Sequence, residues 1–321
     1  MPELESQTSM AAQTLFEQAA GEIGKVVAGQ RELVEQAIVT LLAGGHAIVE
    51  GVPGIAKTLA VRTLARWLAL DYRRIQGTPD MMPADITGTS IFVPSQNGFT
   101  FHRGPAFTQF LFVDEINRMP PRTQAALLEC MEERQITGDG VCYDLDACFT
   151  VFATQNPIEF EGTYPLPEAQ LDRFLLKISV GYPSIEEERL VLERHHAHPR
   201  LLEAAQIEPL APGLLAAARR EVQETLVESQ ILDYLLAVVR ATREWPTLSL
   251  GASPRAATAL LIVAKAYARR DGRNFLLPDD IKTAAPPCLR HRLQLRPEAE
   301  LEGYGADRVI RDILAAVPVP R

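Results

Sequence analysis

Residues 45–60 read GHAIVEGVPGIAKTLA, an apolar run that leads into a glycine-containing turn and then into a helical pattern. The turn nearly matches the phosphate-binding sequence G-x-x-x-x-G-K-[ST], in which a glycine directly precedes the lysine. In this chain Ala56 replaces that glycine. The stretch therefore predicts a strand, a loop that holds an anion and the start of a helix, with one departure from the usual pattern.

The expected position of the loop explains its residue types. Backbone N–H groups at the start of a helix lack partners within the helix, and the helix dipole adds positive potential there. Gly51 and Gly54 would let the backbone fold closely around a phosphate, and Pro53 would stiffen it. Lys57 is poorly placed for helix stability, because a cation in the first turn opposes the dipole unless an anion binds. The structural alternative is a glycine-rich turn with an exposed lysine.

The methyl group of Ala56 provides a test of this prediction. It is tolerable if the residue has a negative φ at the helix start, and damaging if the loop needs a positive φ. In a working loop, Thr58 would supply a hydroxyl ligand to Mg²⁺. The predicted nucleotide-binding loop comprises Gly51, Val52, Pro53, Gly54, Ile55, Ala56, Lys57, Thr58 and Leu59.

Residues 109–118, QFLFVDEINR, place two carboxylates after an apolar strand pattern. In open α/β sheets, ligands bind at the carboxyl ends of the strands. Asp114 would hold Mg²⁺ through its water shell, and Glu115 would act as the general base toward the attacking water. A solvated strand end would explain the pair equally well if it stood alone, so the preceding loop decides in favour of a site.

A third polar strand end occurs in residues 149–157, FTVFATQNP. If this strand lies between the first and the third strands of the sheet, Asn156 would face the γ-phosphate and the attacking water. The structural alternative is a turn, because the dipeptide Asn-Pro favours one, and the two interpretations are compatible.

The composition limits the class of protein. The chain has 321 residues, of which 47% are hydrophobic and 23% charged, as in ordinary globular proteins. Its net charge of −9 argues against a surface that coats nucleic acid. The N-terminus lacks the pattern of a signal peptide, and no apolar run is long enough to span a bilayer. The cysteines form no C-x-x-C pair, so we expect free thiols in the cytoplasm.

Strand and helix patterns alternate as far as Pro183. The predicted strands are HAIVE (46–50), YRRIQ (72–76), QFLFVD (109–114), FTVFAT (149–154) and FLLKISV (174–180). Helical patterns at 57–69 and 121–134 lie between some of them, so we predict an α/β fold with a parallel sheet flanked by helices. Helical patterns predominate after Pro183 and begin with a predicted N-cap at Ser184. We therefore predict an α/β core over 1–183 and an all-α lid over 184–321.

Two short segments interrupt this alternation. Residues 86–104 contain two β-type runs around Asn97-Gly98, which is a strong hairpin signal. Residues 135–148 predict a second hairpin that turns at Gly138-Asp139-Gly140.

The segments GVPGIAKT, VDEINR and ATQNP together resemble the motifs of AAA+ ATPases, in particular the MoxR branch, where alanine before the loop lysine is also familiar. The resemblance covers nearly the whole chain. It implies an AAA+ P-loop core with a helical lid, and ATP and Mg²⁺ as cofactors. The matching positions are Lys57 and Thr58 for Walker A, Asp114 and Glu115 for Walker B, and Asn156 for sensor 1.

The same resemblance suggests further site residues. Val27, Gly29 and Gln30 resemble the segment beside the adenine, for which a helix-entry turn is the structural alternative. Arg173 resembles the arginine finger that acts on the nucleotide of a neighbouring subunit, and its structural alternative is an ion pair with Asp172 or Glu168. 

Arg255 resembles sensor 2. It follows Ser253 and Pro254, which are a good N-cap and a good first helical residue, so it lies in a first turn where a nearby anion would explain a cation.

The resemblance implies an ATP-hydrolysing ring, with a hexamer as the expected form, that remodels client proteins in maturing or activating other complexes. It also implies a partner with a von Willebrand factor A domain, and it places both hairpins at the central pore or at one rim. The alternatives are a nucleic-acid motor, the motor subunit of a metal chelatase and a nucleotide switch with negligible hydrolysis. Ordinary surface hairpins are the structural alternative for the two insertions.

Overall fold

The computed structural model describes residues 10–52, 54–156, 162–197 and 205–320. Contacts divide them into two compact units, one with residues 19–37 and 44–210, the other with residues 10–18, 38–43 and 211–320. The first unit contains the large sheet, and the second is helical with one short antiparallel pair of strands.

A five-stranded parallel sheet forms the framework of the first unit. Its strands are β1 (Ala47–Gly51), β2 (Tyr72–Gln76), β5 (Phe110–Asp114), β8 (Thr150–Gln155) and β9 (Leu176–Val180). They are ordered β2-β5-β8-β1-β9, so β8 lies between β1 and β5. The predicted parallel sheet is confirmed, and the 149–154 strand meets the condition set for Asn156, because it lies between the first and the third predicted strands.

Helices cover this sheet because its strands other than β2 are largely buried and apolar. One face joins Leu111, Val113 and Val151 to Leu127 and Leu128 in a buried cluster. The other face carries aromatic rings, with Phe110 and Phe152 stacked at 4.9 Å between centroids. The helices from the N-terminus to the end of this unit are α1 (Ala11–Gly24), α2 (Arg31–Leu42), α3 (Lys57–Trp67), α4 (Ala84–Thr87), α5 (Pro121–Glu133), α6 (Glu168–Leu171) and α7 (Ile185–Ala197).

The two predicted hairpins are present and pack against each other. They are formed by β3 (Gly88–Val93) with β4 (Gly98–Arg103), and by β6 (Gln135–Gly138) with β7 (Val141–Asp144). The Phe101 ring stacks on the Tyr143 ring at 4.7 Å, and a Cβ at Gly138 would come within 2.7 Å of Phe101. Gly138 therefore allows the close approach of the hairpins.

The second unit is built mainly from helices, as the helical patterns after Pro183 predicted. These are α8 (Leu214–Gln223), α9 (Ser229–Glu244), α10 (Pro254–Arg270), α11 (Pro278–Leu289), α12 (Pro297–Leu301) and α13 (Ala306–Ala316). The short α12 and an antiparallel pair, β10 (Leu248–Leu250) with β11 (Gln294–Leu295), were not predicted. None of the described helices is long and apolar enough to cross a membrane.

The unit with the sheet extends beyond the predicted boundary at residue 183. The predicted N-cap is present, since Ser184 Oγ accepts from the N–H of Glu187 over 3.3 Å. However, α7 stays with the sheet, because Arg194 donates to the carbonyl oxygen of Gly24 over 2.7 Å. Leu210 also donates from its N–H to the carbonyl oxygen of Trp67 over 2.7 Å. The contacts thus place the division after Leu210, and they group the start of α1 with the helical unit.

The start of α1 is held by a buried carboxylate. Glu221 of α8 is 6% exposed, and its two oxygens accept from the N–H groups of Ala11 and Ala12 at 2.9 Å each. First-turn N–H groups lack partners within a helix, and the positive end of the helix dipole favours an anion there. A side chain distant in sequence therefore caps this helix.

Replacing Glu221 by glutamine should lower the free energy of unfolding by about 1–2 kcal/mol, because a neutral amide loses the charge-assisted bonds at the helix start. Urea denaturation measures the change. Glu224→Gln, at an exposed position just beyond α8, is the matched control and should change stability little. Equal effects of the two substitutions would contradict this role of Glu221.

Candidate nucleotide-binding site

Three neighbouring strands end in polar or glycine residues at one edge of the sheet. β1 ends at Gly51, β5 at Asp114 and β8 at Gln155, with Asn156 immediately after it. Because β1, β8 and β5 are parallel neighbours, these residues share the carboxyl edge, where ligands bind in open α/β sheets. The buried Asn156 therefore lies next to the phosphate-loop strand, as expected.

Asp114 is the centre of the hydrogen-bond network at this edge. Thr154 Oγ1 donates to Asp114 Oδ1 over 2.6 Å and accepts from the N–H of Glu115 over 2.8 Å. On the other oxygen, Oδ2, Arg74 Nη2 lies at 2.8 Å and Thr58 Oγ1 at 3.4 Å. The predicted loop residue Thr58 and the predicted acidic strand end are therefore in contact.

Glu115 follows in a left-handed backbone conformation, with φ 57°. Its Oε2 accepts from Gln76 Nε2 over 2.8 Å and lies 3.6 Å from Arg118 Nη1. A Cβ at position 77 would come within 2.2 Å of the Glu115 carbonyl oxygen, so only glycine fits there. The carboxylate is thus held by an amide donor and a cation at the end of β5.

Lys57 begins α3 and turns back over the loop. Its Nζ donates to the carbonyl oxygen of Gly51, and also to that of Val52 over 3.2 Å. Gly51 itself allows a close approach, since a Cβ there would meet the Val180 carbonyl oxygen at 2.6 Å and Ile55 Cδ1 at 2.7 Å. The ammonium is therefore held at the loop by two backbone carbonyl oxygens.

Ala56 has φ 61° and ψ 23°, the left-handed conformation that we expected to be damaging. The negative φ that would make the methyl harmless is not observed. A left-handed alanine costs about 1–2 kcal/mol, which explains why glycine is usual before the lysine. By the criterion set for the methyl group, this φ counts against a working loop, and Ala56 holds a strained conformation of the kind that is found most often at functional sites.

The remaining predicted loop residues differ in exposure. Gly54 is exposed with φ 84°, Ile55 is buried, and Val52 and Leu59 are half-buried. Pro53 lies outside the described residues. Direct contact of these residues with nucleotide remains a prediction.

The predicted finger, Arg173, forms an ion pair with Glu132, whereas the structural alternative named Asp172 or Glu168 as its partner. Its Nε lies 2.8 Å from Glu132 Oε2, near the end of α5. Asp172 and Glu168 are close in sequence, but the tertiary packing brings the end of α5 to this arginine. The role of Arg173 in a neighbouring subunit stays a prediction.

The predicted sensor, Arg255, lies in the first turn of α10, and its side chain is exposed. The expected N-cap is confirmed, because Ser253 Oγ accepts from the N–H of Ala256 over 3.3 Å. The arginine thus stands at the positive end of the helix dipole, which favours a nearby anion.

The predicted adenine segment is a turn between α1 and α2. Val27 and Gln30 are buried, and Gly29 has φ 73°. A Cβ at Gly29 would come within 3.0 Å of Glu187, so the segment packs tightly against α7. Contact of this segment with an adenine remains a prediction.

The sequence patterns did not identify Arg74, Gln76 and Thr154 as site residues. All three lie on strands and contact the two acidic residues directly. Alternation places Arg74 and Gln76 on the same face of β2 as Tyr72. Burial raises the pKa of the Tyr72 phenol, so this neighbour stays neutral. The recurrence of polar residues at every second position of β2 was the sequence signal that could have identified Arg74 and Gln76.

The oxygen donors at this edge fit Mg²⁺. This ion takes oxygen ligands, and in nucleotide sites one or two protein oxygens are completed by phosphates and water. Thr58 and Asp114 supply a hydroxyl and a carboxylate in contact with each other. In the described ranges, no group of three or more His, Cys, Asp or Glu side chains could hold a metal ion.

The chain matches two family models. Residues 46–176 match the ATPase family associated with various cellular activities (AAA), and residues 240–313 match the AAA lid domain. The first match contains the phosphate loop and the acidic strand end, and the second covers most of the helical unit.

Similar proteins cover nearly all of the chain. The uncharacterized protein YeaC of Bacillus subtilis is 44% identical over 311 residues, which are 95% of each protein. Chaperone MoxR1 of Mycobacterium tuberculosis is 43% identical over 315 residues, which are 95% of this chain and 82% of that protein. A crystal structure of a candidate ATPase from Cytophaga hutchinsonii is 39% identical and covers 98% of both chains, with a TM-score of 0.89.

Replacing Ala56 by glycine should raise the free energy of unfolding by about 0.5–1 kcal/mol, because glycine adopts a left-handed φ without a Cβ clash. Ala69, exposed and with φ 52° just after α3, allows the same substitution away from the loop. Urea denaturation of both variants measures the change. If Ala69→Gly raised the free energy of unfolding and Ala56→Gly did not, the claim that Ala56 is strained would be contradicted.

Proposed function

The chain belongs to the MoxR-type AAA+ ATPases and hydrolyses ATP, and we propose that it does so with Mg²⁺, in a ring of six subunits, to remodel partner proteins. The observation that carries this proposal is the contact of Thr58 with Asp114 beside Glu115. It joins a phosphate loop, a metal-binding carboxylate and a second carboxylate at one sheet edge.

Each part of the site has a role in this proposal. The loop N–H groups and Lys57 hold the phosphates, because both present positive charge at the helix start. Glu115 accepts the proton of the attacking water, and Asn156 orients that water. Mg²⁺, when bound near Thr58 and Asp114, would neutralise charge on the phosphates.

The neighbouring subunit completes the site through its arginine finger. Arg173 in its own chain pairs with Glu132, and both side chains are about one-third exposed. Such an exposed pair contributes little free energy, so the arginine is available to a more negative partner. A nucleotide held by the adjacent subunit supplies that charge.

A protein client and a partner with a von Willebrand factor A domain complete the proposal. The name of the chaperone relative supports action on proteins, and the net charge of −9 argues against nucleic acid. The first hairpin supports a client as well, because Phe92 and Phe99 near its turn are 47% and 74% exposed. The cytoplasmic location stays a prediction.

Glu115→Gln should lower ATP turnover by at least about 100-fold and keep nucleotide binding, because the amide cannot accept the proton. Steady-state phosphate release and binding of a fluorescent ATP analogue measure the two effects. Glu129→Gln, on the exposed face of α5, is the matched control and should keep turnover. Unchanged turnover in Glu115→Gln would rule out the general-base role.

The same variant, loaded with ATP, should retain the client that the active enzyme releases. Lys57→Ala, which cannot hold the phosphates, is the control for proteins that bind without nucleotide. Affinity purification of both variants from cells, followed by mass spectrometry, identifies proteins held only by Glu115→Gln. Identical proteins with both variants would argue against ATP-driven remodelling.

Mixing Arg173→Ala with Lys57→Ala protein should restore part of the ATPase activity, although each variant alone is inactive. Mixed rings contain interfaces in which an intact loop meets an intact finger from the neighbour. The measurement is turnover of the mixture after subunit exchange, which fluorescence energy transfer between labelled subunits verifies. Exchange without any recovered activity would refute the finger assignment.

A further inference from the structure

We propose that Arg74 is an internal cation that competes with Mg²⁺ for Asp114, so that the metal must displace this guanidinium from the carboxylate. The inference rests on the proposed Mg²⁺-dependent function of the same site. It assigns a role to a strand residue that lies outside the phosphate loop and the acidic strand end.

The two oxygens of Asp114 have different partners. Oδ1 accepts from Thr154 Oγ1 over 2.6 Å, and Thr154 is fixed in turn by the N–H of Glu115. Oδ2 faces Thr58 Oγ1 at 3.4 Å and Arg74 Nη2 at 2.8 Å. Thr58 is the predicted hydroxyl ligand of Mg²⁺, so Oδ2 is the Asp114 oxygen that would face the metal. Arg74 donates a hydrogen bond to this same oxygen.

Arg74 is held in this place by a second acceptor. The same Nη2 lies 2.6 Å from Oε1 of Gln76, which is two residues further along β2 and on the same face of the strand. The Asp114 side chain is only 15% exposed, whereas that of Arg74 is 46% exposed. The carboxylate is therefore sheltered, and the guanidinium has an open side through which it can withdraw into water.

Other nearby cations are engaged elsewhere. Lys57 Nζ donates to the Gly51 and Val52 carbonyl oxygens, and Arg118 faces Glu115 at 3.6 Å. Within the described residues, Arg74 is the cation that forms a salt bridge with Asp114. It neutralises this sheltered carboxylate when no metal is bound.

A cation at one carboxylate oxygen repels a second cation at the same place, whether Mg²⁺ reaches that oxygen directly or through a water of its shell. Mg²⁺ therefore binds more weakly than it would beside an unpaired Asp114, and bound metal releases Arg74 toward solvent. Removing the guanidinium charge should strengthen the metal site, whereas removing an ordinary structural partner of Asp114 would weaken it. The direction of the change in Mg²⁺ affinity therefore distinguishes a competing cation from a structural partner of Asp114.

The test compares Arg74→Met, which removes the charge, with Arg74→Lys, which keeps it. Arg73→Met is the matched control, because strand alternation directs Arg73 to the opposite face of β2. The measurement is the affinity of N-methylanthraniloyl-AMPPNP, a fluorescent and non-hydrolysable ATP analogue, as Mg²⁺ is titrated into the full chain. No turnover is needed for this readout.

Arg74→Met should lower the Mg²⁺ concentration at half-maximal effect by about fivefold, the size expected for a partly exposed ion pair. Arg74→Lys and Arg73→Met should stay near the wild-type value. An unchanged or raised Mg²⁺ midpoint in Arg74→Met would overturn the proposal, as would an equal decrease in Arg73→Met.

Folding and nucleotide binding are controlled separately. If Arg74→Met does not fold, Arg74→Gln provides the neutral variant, and it should lower the Mg²⁺ midpoint in the same direction. If the wild-type chain binds the analogue at no Mg²⁺ concentration, the proposed function itself fails. If it binds the analogue equally well with and without Mg²⁺, the competition fails while nucleotide binding stands.

Discussion

The carboxylate of Asp114 is the point on which the arrangement of the site depends. Thr154, Thr58 and Arg74 reach it from three other segments, and each contact requires a particular neighbour in the sheet. Thr154 arrives because β8 pairs with β5, and Arg74 arrives because β2 pairs with β5 on the other side. A different strand order would separate these groups, although every local sequence would be unchanged.

The site contains two non-glycine residues with left-handed backbone, Ala56 before the loop lysine and Glu115 after the acidic strand. Both conformations cost free energy, and at Glu115 the backbone is packed closely against Gly77. At Ala56 the turn directs the chain from Gly54 into α3, and at Glu115 it aims the carboxylate toward Gln76. Native proteins are only marginally stable, so the packing of the large parallel sheet and its covering helices has to offset this strain.

Sequence patterns predicted those site residues whose charge is unusual for their position in a helix or strand. Lys57 stands at a helix start where a cation is unfavourable, and Asp114 and Glu115 follow a fully apolar strand. The sequence patterns did not predict Arg74 and Thr154 as site residues, because a polar residue on a strand does not by itself indicate a site. Their importance comes from their neighbours, and neighbours across a sheet are not encoded by spacing along the chain.

The ion pair of Arg173 illustrates the same limit. Glu132 is remote from it in sequence, so the closer Asp172 and Glu168 were the natural candidates. The grouping of α7 with the sheet is another example, because Arg194 finds its acceptor, the carbonyl oxygen of Gly24, far along the chain.

The sequence by itself determined the five strands of the large sheet, many of the helices, the two hairpin turns, the cap at Ser184 and the AAA+ motifs. These follow from local periodicity, turn chemistry and the charge of single positions. Only the tertiary structure decided the φ of Ala56, the partners of Asp114 and the unit to which α7 belongs. The physical reason is that strand order and side-chain contacts are set by the packing of segments that are distant in sequence. A local sequence pattern does not indicate which segment will be the neighbour.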